Sequence, residues 1–489
     1  MNFPAQPQAD GYVTEIPYVA AYQRALNPSL QAMALNMRGV GAWQRGTPMT
    51  YMELGCGFGL STLVHAATNP QATFIGVDVL PEHVATARAL AQAAGLSNVT
   101  FIEGSFASLA GMDLPPCDFI AMHGVWSWIS AENRAHILQC VDARLKPGGV
   151  LYVSYNALPG SAAAIPMRQL MMAGFTRAQG SIPQRIGTAI AMTDELKSVG
   201  GGFFADNPLA AHRFDELKTR PPNYLAHEYF NADWQAFYHK DLVASVKGLG
   251  LEFISQADPF MSIDEFHFKP AARAQINAAA DPVISETLRD YLADREFRAD
   301  LFVRRSDANQ RVGDTRFFAA MRAEHVDLIK VRTTLGDVSP PRAPALAILT
   351  ALQERPLTID ELAQHPACSG ISKKSMNVLA FGLAAFAAIE PVMPATGEAE
   401  RTESTRRFNR ALWEKNHAAL WTETNASPVT GGSIEVSRED QMYFLARAEN
   451  VDPVGFTAKA LGAPETEIRT RYRAFQSERL AAYQRLGIG

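Results

Sequence analysis

Apolar positions along this chain switch between two periods, and over the first third the switch recurs at regular intervals. Short apolar runs with the length and flanks of buried strands fall at residues 50–54, 74–77, 99–103, 118–123 and 150–154. Helical spacing fills the gaps: Pro81 can open a helix that closes at Gly95, and residues 131–145 lead through Lys146-Pro147-Gly148-Gly149 into the fifth strand. Upstream, Asn27 can cap a helix with Pro28 at its first position. Leu30, Met33, Ala34, Met37 and Val40 then repeat at helical spacing, which predicts a helix packed against the sheet edge. Five strands joined by right-handed helical crossovers predict an α/β fold with a doubly wound parallel sheet.

Past Asn156 the alternation stops. Helical stretches around 167–175 and 183–199, ending at Gly200-Gly201-Gly202, predict a helical insertion or lid over 161–235 on a core of 1–160. The strand pattern resumes at 251–256 and 297–304, after a helix at 242–248, so residues 236–310 are expected to complete the sheet. Residues 311–342 turn polar and end in Val338-Ser339-Pro340-Pro341, which reads as a linker. Residues 343–489 then form a mainly helical C-terminal domain. Leu346, Leu349 and Leu352 share one helix, Thr358 caps a second, and 373–389 forms a third, a winged-helix-like order.

Bulk composition narrows the function classes. A net charge of −5 and only Lys373 and Lys374 clustered on the third of those helices argue against nucleic acid as a partner. The C-terminal unit is therefore expected to be a packing or dimerisation module, with a homodimer left open. The four cysteines are scattered without metal-ligand spacing, so reduced thiols, no metal and a cytoplasmic location are expected. Residues 1–12 show no charged or apolar leader pattern, and the longest apolar run, 378–389, is too short to span a bilayer, so no membrane association is expected.

The candidate chemistry lies at the end of the first strand. Glu53-Leu54-Gly55-Cys56-Gly57-Phe58-Gly59 places glycines where the backbone must turn beside a ligand. Dinucleotide sites use G-x-G-x-x-G to present a helix N-terminus to pyrophosphate; here the spacing is G-x-G-x-G, and Glu53 would repel a phosphate. Asp78 ends the second strand, nineteen residues past Gly59, near the usual acid-to-ribose spacing. A ligand with a sulfonium, an amino group and a ribose diol suits both acids, so S-adenosyl-L-methionine is the expected cofactor. A βα turn with no ligand is the alternative.

Together with Leu145-Lys146-Pro147-Gly148-Gly149, these motifs resemble the class I S-adenosylmethionine-dependent methyltransferases. The resemblance implies a Rossmann-like sheet in which Glu53, Gly55 and Gly57 line the methionine end and Asp78 holds the ribose hydroxyls, with Cys56 also at the cofactor. Ser105 stands where such enzymes often carry an adenine-binding Asp, so Ser105, the backbone and Phe106 are expected at the adenine. His123-Gly124-Val125-Trp126-Ser127-Trp128, Tyr155-Asn156-Ala157-Leu158-Pro159-Gly160, His227-Glu228-Tyr229-Phe230-Asn231 and Arg295-Glu296-Phe297-Arg298 are similar to bacterial methyltransferases with an attached regulatory domain. That group includes lysine methyltransferases acting on an outer-membrane protein. The likeness does not fix the acceptor.

Six aromatic residues among positions 224–238, against 9% in the chain, suggest a channel that desolvates an amine. Trp234, Phe237, Tyr238 and Leu242 also fit helical spacing and are more simply read as core. His123 and Tyr155, at the ends of the fourth and fifth strands, and Tyr229 in the aromatic segment are the catalytic candidates, with His123 also beside the cofactor. Trp126 and Trp128 are expected to cover the cofactor. The preferred acceptor is a protein lysine. A small-molecule O- or N-methyltransferase and a non-catalytic cofactor-binding interaction protein remain the alternatives.

Overall fold

The computed structural model describes residues 13, 15–16, 18–306 and 315–489; the expectation drawn from residues 1–12 lies outside them. Seven strands form one sheet: β1 (Thr50–Leu54), β2 (Thr73–Asp78), β3 (Val99–Glu103), β4 (Cys117–Met122), β5 (Leu145–Asn156), β6 (Leu251–Gln256) and β7 (Phe297–Arg304). Their order is β3-β2-β1-β4-β5-β7-β6. The first five are parallel, while β7 runs antiparallel to both β5 and β6, so the late strand pair completes the sheet as the sequence suggested. Period-two alternation sends Tyr51, Phe119 and Tyr152 into the core on one face, and Met52, Ile120, Leu151, Val153 and Tyr155 into the core on the other.

Asn27 caps the helix Pro28–Met37 by accepting from the Ser29 N–H, and this helix packs beside the edge strand β6. Helices between Ala164 and Tyr229 form the insertion, whose core includes Met167, Phe175, Phe204, Phe214 and Phe230. The expected helix through Trp234, Phe237 and Tyr238 is not realised. Residues 231–238 are non-helical, Phe237 bridges to Ala157, and the helix begins at His239.

The described part of the expected 311–342 linker is not a linker. Phe317–Ala319 pairs antiparallel with Ile389–Pro391, and Ala323, Val326 and Ile329 are buried with Ile348, Leu349 and Leu383 in the C-terminal core. Three helices (Arg342–Glu354, Ile359–Gln364, Lys373–Ala385) and this strand pair give the winged-helix-like order. Nor is that unit separate from the sheet domain. Leu30 and Met33 insert into its core, Arg24 pairs with Glu390 at 2.8 Å, and the helix Glu398–Ala418 packs on the helices Leu60–Thr68 and Pro81–Ala93. No helix of the described residues is long and apolar enough to cross a membrane.

Candidate active site

A cavity of about 430 Å³ opens at the carboxyl ends of the parallel strands. Gly55, Gly57 and Gly59 turn the chain there with φ of +71°, +55° and +69°. A Cβ at Gly55 would lie 2.5 Å from Val125 Cγ2, so both the turn and the close approach demand glycine. The helix Leu60–Thr68 starts immediately afterwards.

Asp78 is buried and heavily used. Its Oδ2 accepts from the Gly57 N–H at 2.8 Å, and its Oδ1 accepts from the Leu80 N–H at 3.0 Å and lies 3.1 Å from His83 Nδ1. His83 Nε2 accepts from the Tyr18 N–H, so the ring carries its proton on Nδ1 and donates it to Asp78. Three bonds leave a carboxylate acceptor position for a ribose hydroxyl. Glu53, also buried, accepts from the Thr62 hydroxyl; burial, reinforced by the Asp78 charge, pushes its carboxyl up to about 8. No ion pair reaches Glu53 among the described residues, and a cationic ligand would supply the missing counter-charge. The glycine cradle, the uncompensated Glu53 and the acceptor at Asp78 fit S-adenosylmethionine.

Glu53, Gly55, Cys56, Gly57, Asp78, Ser105, Phe106, His123 and Tyr229 all line this one cavity. Tyr155 does not. Its ring is fully buried in the opposite core, and its hydroxyl donates to Asp300 at 2.7 Å. Asp300 also holds His239 and Arg298, whose guanidinium pairs with Asp290 and Glu286, and this positive charge keeps the Asp300 carboxyl well below the usual range despite burial. Tyr155 thus belongs to a closed charge network; Asn156, one residue on, lines the cavity instead.

His123 reaches the cavity with Nδ1 2.7 Å from the Tyr152 hydroxyl, but burial lowers its pKa to about 4. That makes it a neutral hydrogen-bonding wall and a poor proton acceptor. Of the two tryptophans expected over the cofactor, Trp128 lines the cavity and Trp126 is core. The aromatic segment likewise divides: Tyr224, Tyr229 and Trp234 face the cavity, Phe230 fills the insertion core, and Tyr238 stacks on Tyr291 elsewhere.

Several lining groups escaped the sequence reading. Residues 18–23 cross the cavity, with the Gln23 N–H donating to Ser61 Oγ at 2.9 Å and the Tyr18 hydroxyl to Glu228 Oε1 at 2.8 Å. Arg213 of the insertion pairs with Glu296, just before β7. No local pattern marks Tyr18 or Arg213; Glu228 and Glu296 sat inside noted motifs without an assigned role.

Comparison with known proteins agrees with this geometry. The methyltransferase domain family matches residues 52–149, and the family described as a predicted methyltransferase regulatory domain matches residues 221–304. An uncharacterized protein of Synechocystis is 32% identical over 475 residues, covering 96% of this chain and 94% of its own length. An uncharacterized protein of Rickettsia prowazekii is 25% identical over 59% of this chain and 51% of its own. Among solved structures, PKMT2 from Rickettsia typhi in complex with AdoHcy shares the fold, with a TM-score of 0.66 at 18% identity over 94% of this chain and 92% of that one. A cavity built to hold a cationic adenosyl cofactor, the matched domains and a relative aligned along almost the whole chain lead to one conclusion: the protein belongs to the class I S-adenosylmethionine-dependent methyltransferases that carry a methyltransferase regulatory domain.

Proposed function

We propose that the enzyme methylates the side-chain amine of a lysine in a protein substrate. The observation that carries this reading is the composition of the cavity beyond the cofactor end. Tyr224, Tyr229 and Trp234 offer ring surface to an aliphatic stem, and Glu228 and Glu296 place carboxylates beside them. Such a chamber suits a methylene chain tipped with an ammonium group.

When bound, S-adenosylmethionine supplies an electrophilic methyl group on a cationic sulfur. The chain's own task is to hold the acceptor in line with it, which can contribute up to ~7–11 kcal/mol. Asp78 and the glycine turn fix one side; the insertion helix Pro222–Tyr229 and Trp234 fix the other. A lysine amine must first be neutral, at a cost of about 4–5 kcal/mol at pH 7 in water. Aromatic walls that exclude water reduce this cost.

The test is a cell lysate incubated with the enzyme and methyl-tritiated cofactor. Label retained in protein and recovered as methylated lysine after acid hydrolysis is the expected result. Label confined to the small-molecule fraction would overturn this reading in favour of a metabolite acceptor.

A further inference from the structure

We propose that Glu228 is the proton acceptor for the incoming amine and that Tyr18, from the segment crossing the cavity, holds it in position. The inference rests on the amine reading above and adds a catalytic residue to it.

Two carboxylates face the acceptor end, and they differ. Glu296 is neutralised by Arg213. Glu228, half-buried, accepts one hydrogen bond, from the Tyr18 hydroxyl at 2.8 Å, and makes no ion pair among the described residues. Among the described residues its second carboxylate oxygen accepts no hydrogen bond. The two histidines of the cavity wall are poorly suited to take a proton, and Glu53 lies at the cofactor end. His123 is half-buried, with its pKa lowered by desolvation to about 4; the His227 pKa is also lowered to about 4 by burial, and its Nε2 lies 2.8 Å from the Ile16 carbonyl, to which it donates. Burial raises the Glu228 carboxyl, as a proton acceptor in such a chamber requires.

The placement follows from the same contacts. Asp78 binds His83, and His83 binds the Tyr18 N–H, so the Tyr18 backbone sits beside the ribose site. The hydroxyl of the same tyrosine ends at Glu228. Glu228 is therefore linked to the ribose-binding carboxylate through one histidine ring and one tyrosine, on the side of the aromatic chamber.

R–NH3⁺ gives one proton to Glu228, leaving R–NH2 and a carboxylic acid. In water this transfer is uphill by about six powers of ten; a chamber that desolvates both charges disfavours the ion pair relative to the neutral pair. The amine lone pair then forms the N–C bond as the C–S bond breaks and its electron pair stays on sulfur. The product amine carries the positive charge that sulfur has lost, and the Glu228 proton returns to solvent when products leave.

The test is calorimetric and uses the full chain with two probes: S-adenosylhomocysteine, and sinefungin, the adenosine analogue in which carbon replaces the sulfur and a primary amine replaces the methyl group. The unaltered protein is expected to bind the amine analogue at least about tenfold more tightly, as one charge-assisted hydrogen bond allows. Glu228→Gln, which keeps the volume and the bond from Tyr18, should abolish that preference and leave S-adenosylhomocysteine affinity within about twofold. Glu228→Asp should restore part of the preference, and Tyr18→Phe should lose part of it. A preference missing from the unaltered protein or surviving in Glu228→Gln would overturn the proposal, as would a parallel fall for both probes. The lysate labelling separates the two readings: methylated lysine with an intact preference in Glu228→Gln removes only Glu228, whereas label outside amines removes the amine reading itself.

Discussion

Two clusters of buried carboxylates lie within this sheet domain, and they are built on opposite terms. At the cavity, Glu53 and Asp78 receive only neutral donors: a threonine hydroxyl, two backbone N–H groups and a histidine ring. Behind β5, Asp300, Asp290 and Glu286 surround the Arg298 guanidinium, with His239 and Tyr155 completing the shell. Burial alone does not distinguish a binding site from scaffold. The missing counter-charge does, because an unpaired buried carboxylate is costly until a cation arrives, whereas a paired one is already at rest.

The contrast can be broken at either cluster. The largest effect is expected from Arg298→Met, which leaves Asp300 buried without a guanidinium while Glu286 and Asp290 keep Arg289 and Arg295, and should lower stability by about 3–5 kcal/mol in chemical denaturation. Cofactor affinity of the folded fraction should barely change; an unaltered unfolding midpoint would show the network to be inert. Next, Asp78→Ala should weaken S-adenosylhomocysteine binding by about ten- to a hundredfold, since each charged hydrogen bond contributes about 1.5–3 kcal/mol. Unchanged affinity by calorimetry would remove Asp78 from the ribose site. Tyr155→Phe should cost about 1–2 kcal/mol of stability with turnover intact, and a specific loss of turnover in a stable protein would return Tyr155 to the active site.

The smallest effect sharpens the comparison through pH. Glu53 protonates near 8 in the free enzyme, above its ordinary value of 4.5, so between those values the folded state binds the extra proton. Its contribution to stability therefore falls as pH rises through that window, while affinity for a cationic cofactor rises, by at most about tenfold per pH unit. Proton release on binding, measured calorimetrically in buffers of different ionisation enthalpy, should be reduced in Glu53→Gln. Identical release in the two proteins would contradict the raised carboxyl.

The cofactor end was legible because it is local. A strand, a glycine turn and an acid at the next strand end lie within residues 50–78, and the chain between them has one way to close. Tyr155 failed for a reason of parity: along β5 successive side chains alternate faces, so the aromatic residue went to the core and Asn156 to the cavity. Residues 317–329 look like a linker because polar stretches flank them and Pro340-Pro341 follows, although most of their own positions are apolar. Their burial depends on a strand about seventy positions away at Ile389–Pro391, which no local period can report. The acceptor end was hidden most deeply, since Tyr18 and Glu228 are 210 residues apart and meet only through the folded insertion.

The segment that crosses the cavity also bears on the order in which the enzyme is made. Residues 18–24 leave the ribosome early, yet beside Ser61 and His83 their anchors include the helix holding Glu228 and, through Arg24, the strand holding Glu390. Arg24 and Glu390 are 366 positions apart, which at ~5–20 residues per second separates their synthesis by roughly 20–70 s. The methionine-side cradle can form long before that interval ends. A nascent chain would thus carry every residue of the cavity wall, the last of them Phe297, before Glu390 exists to fasten the crossing segment from the C-terminal side.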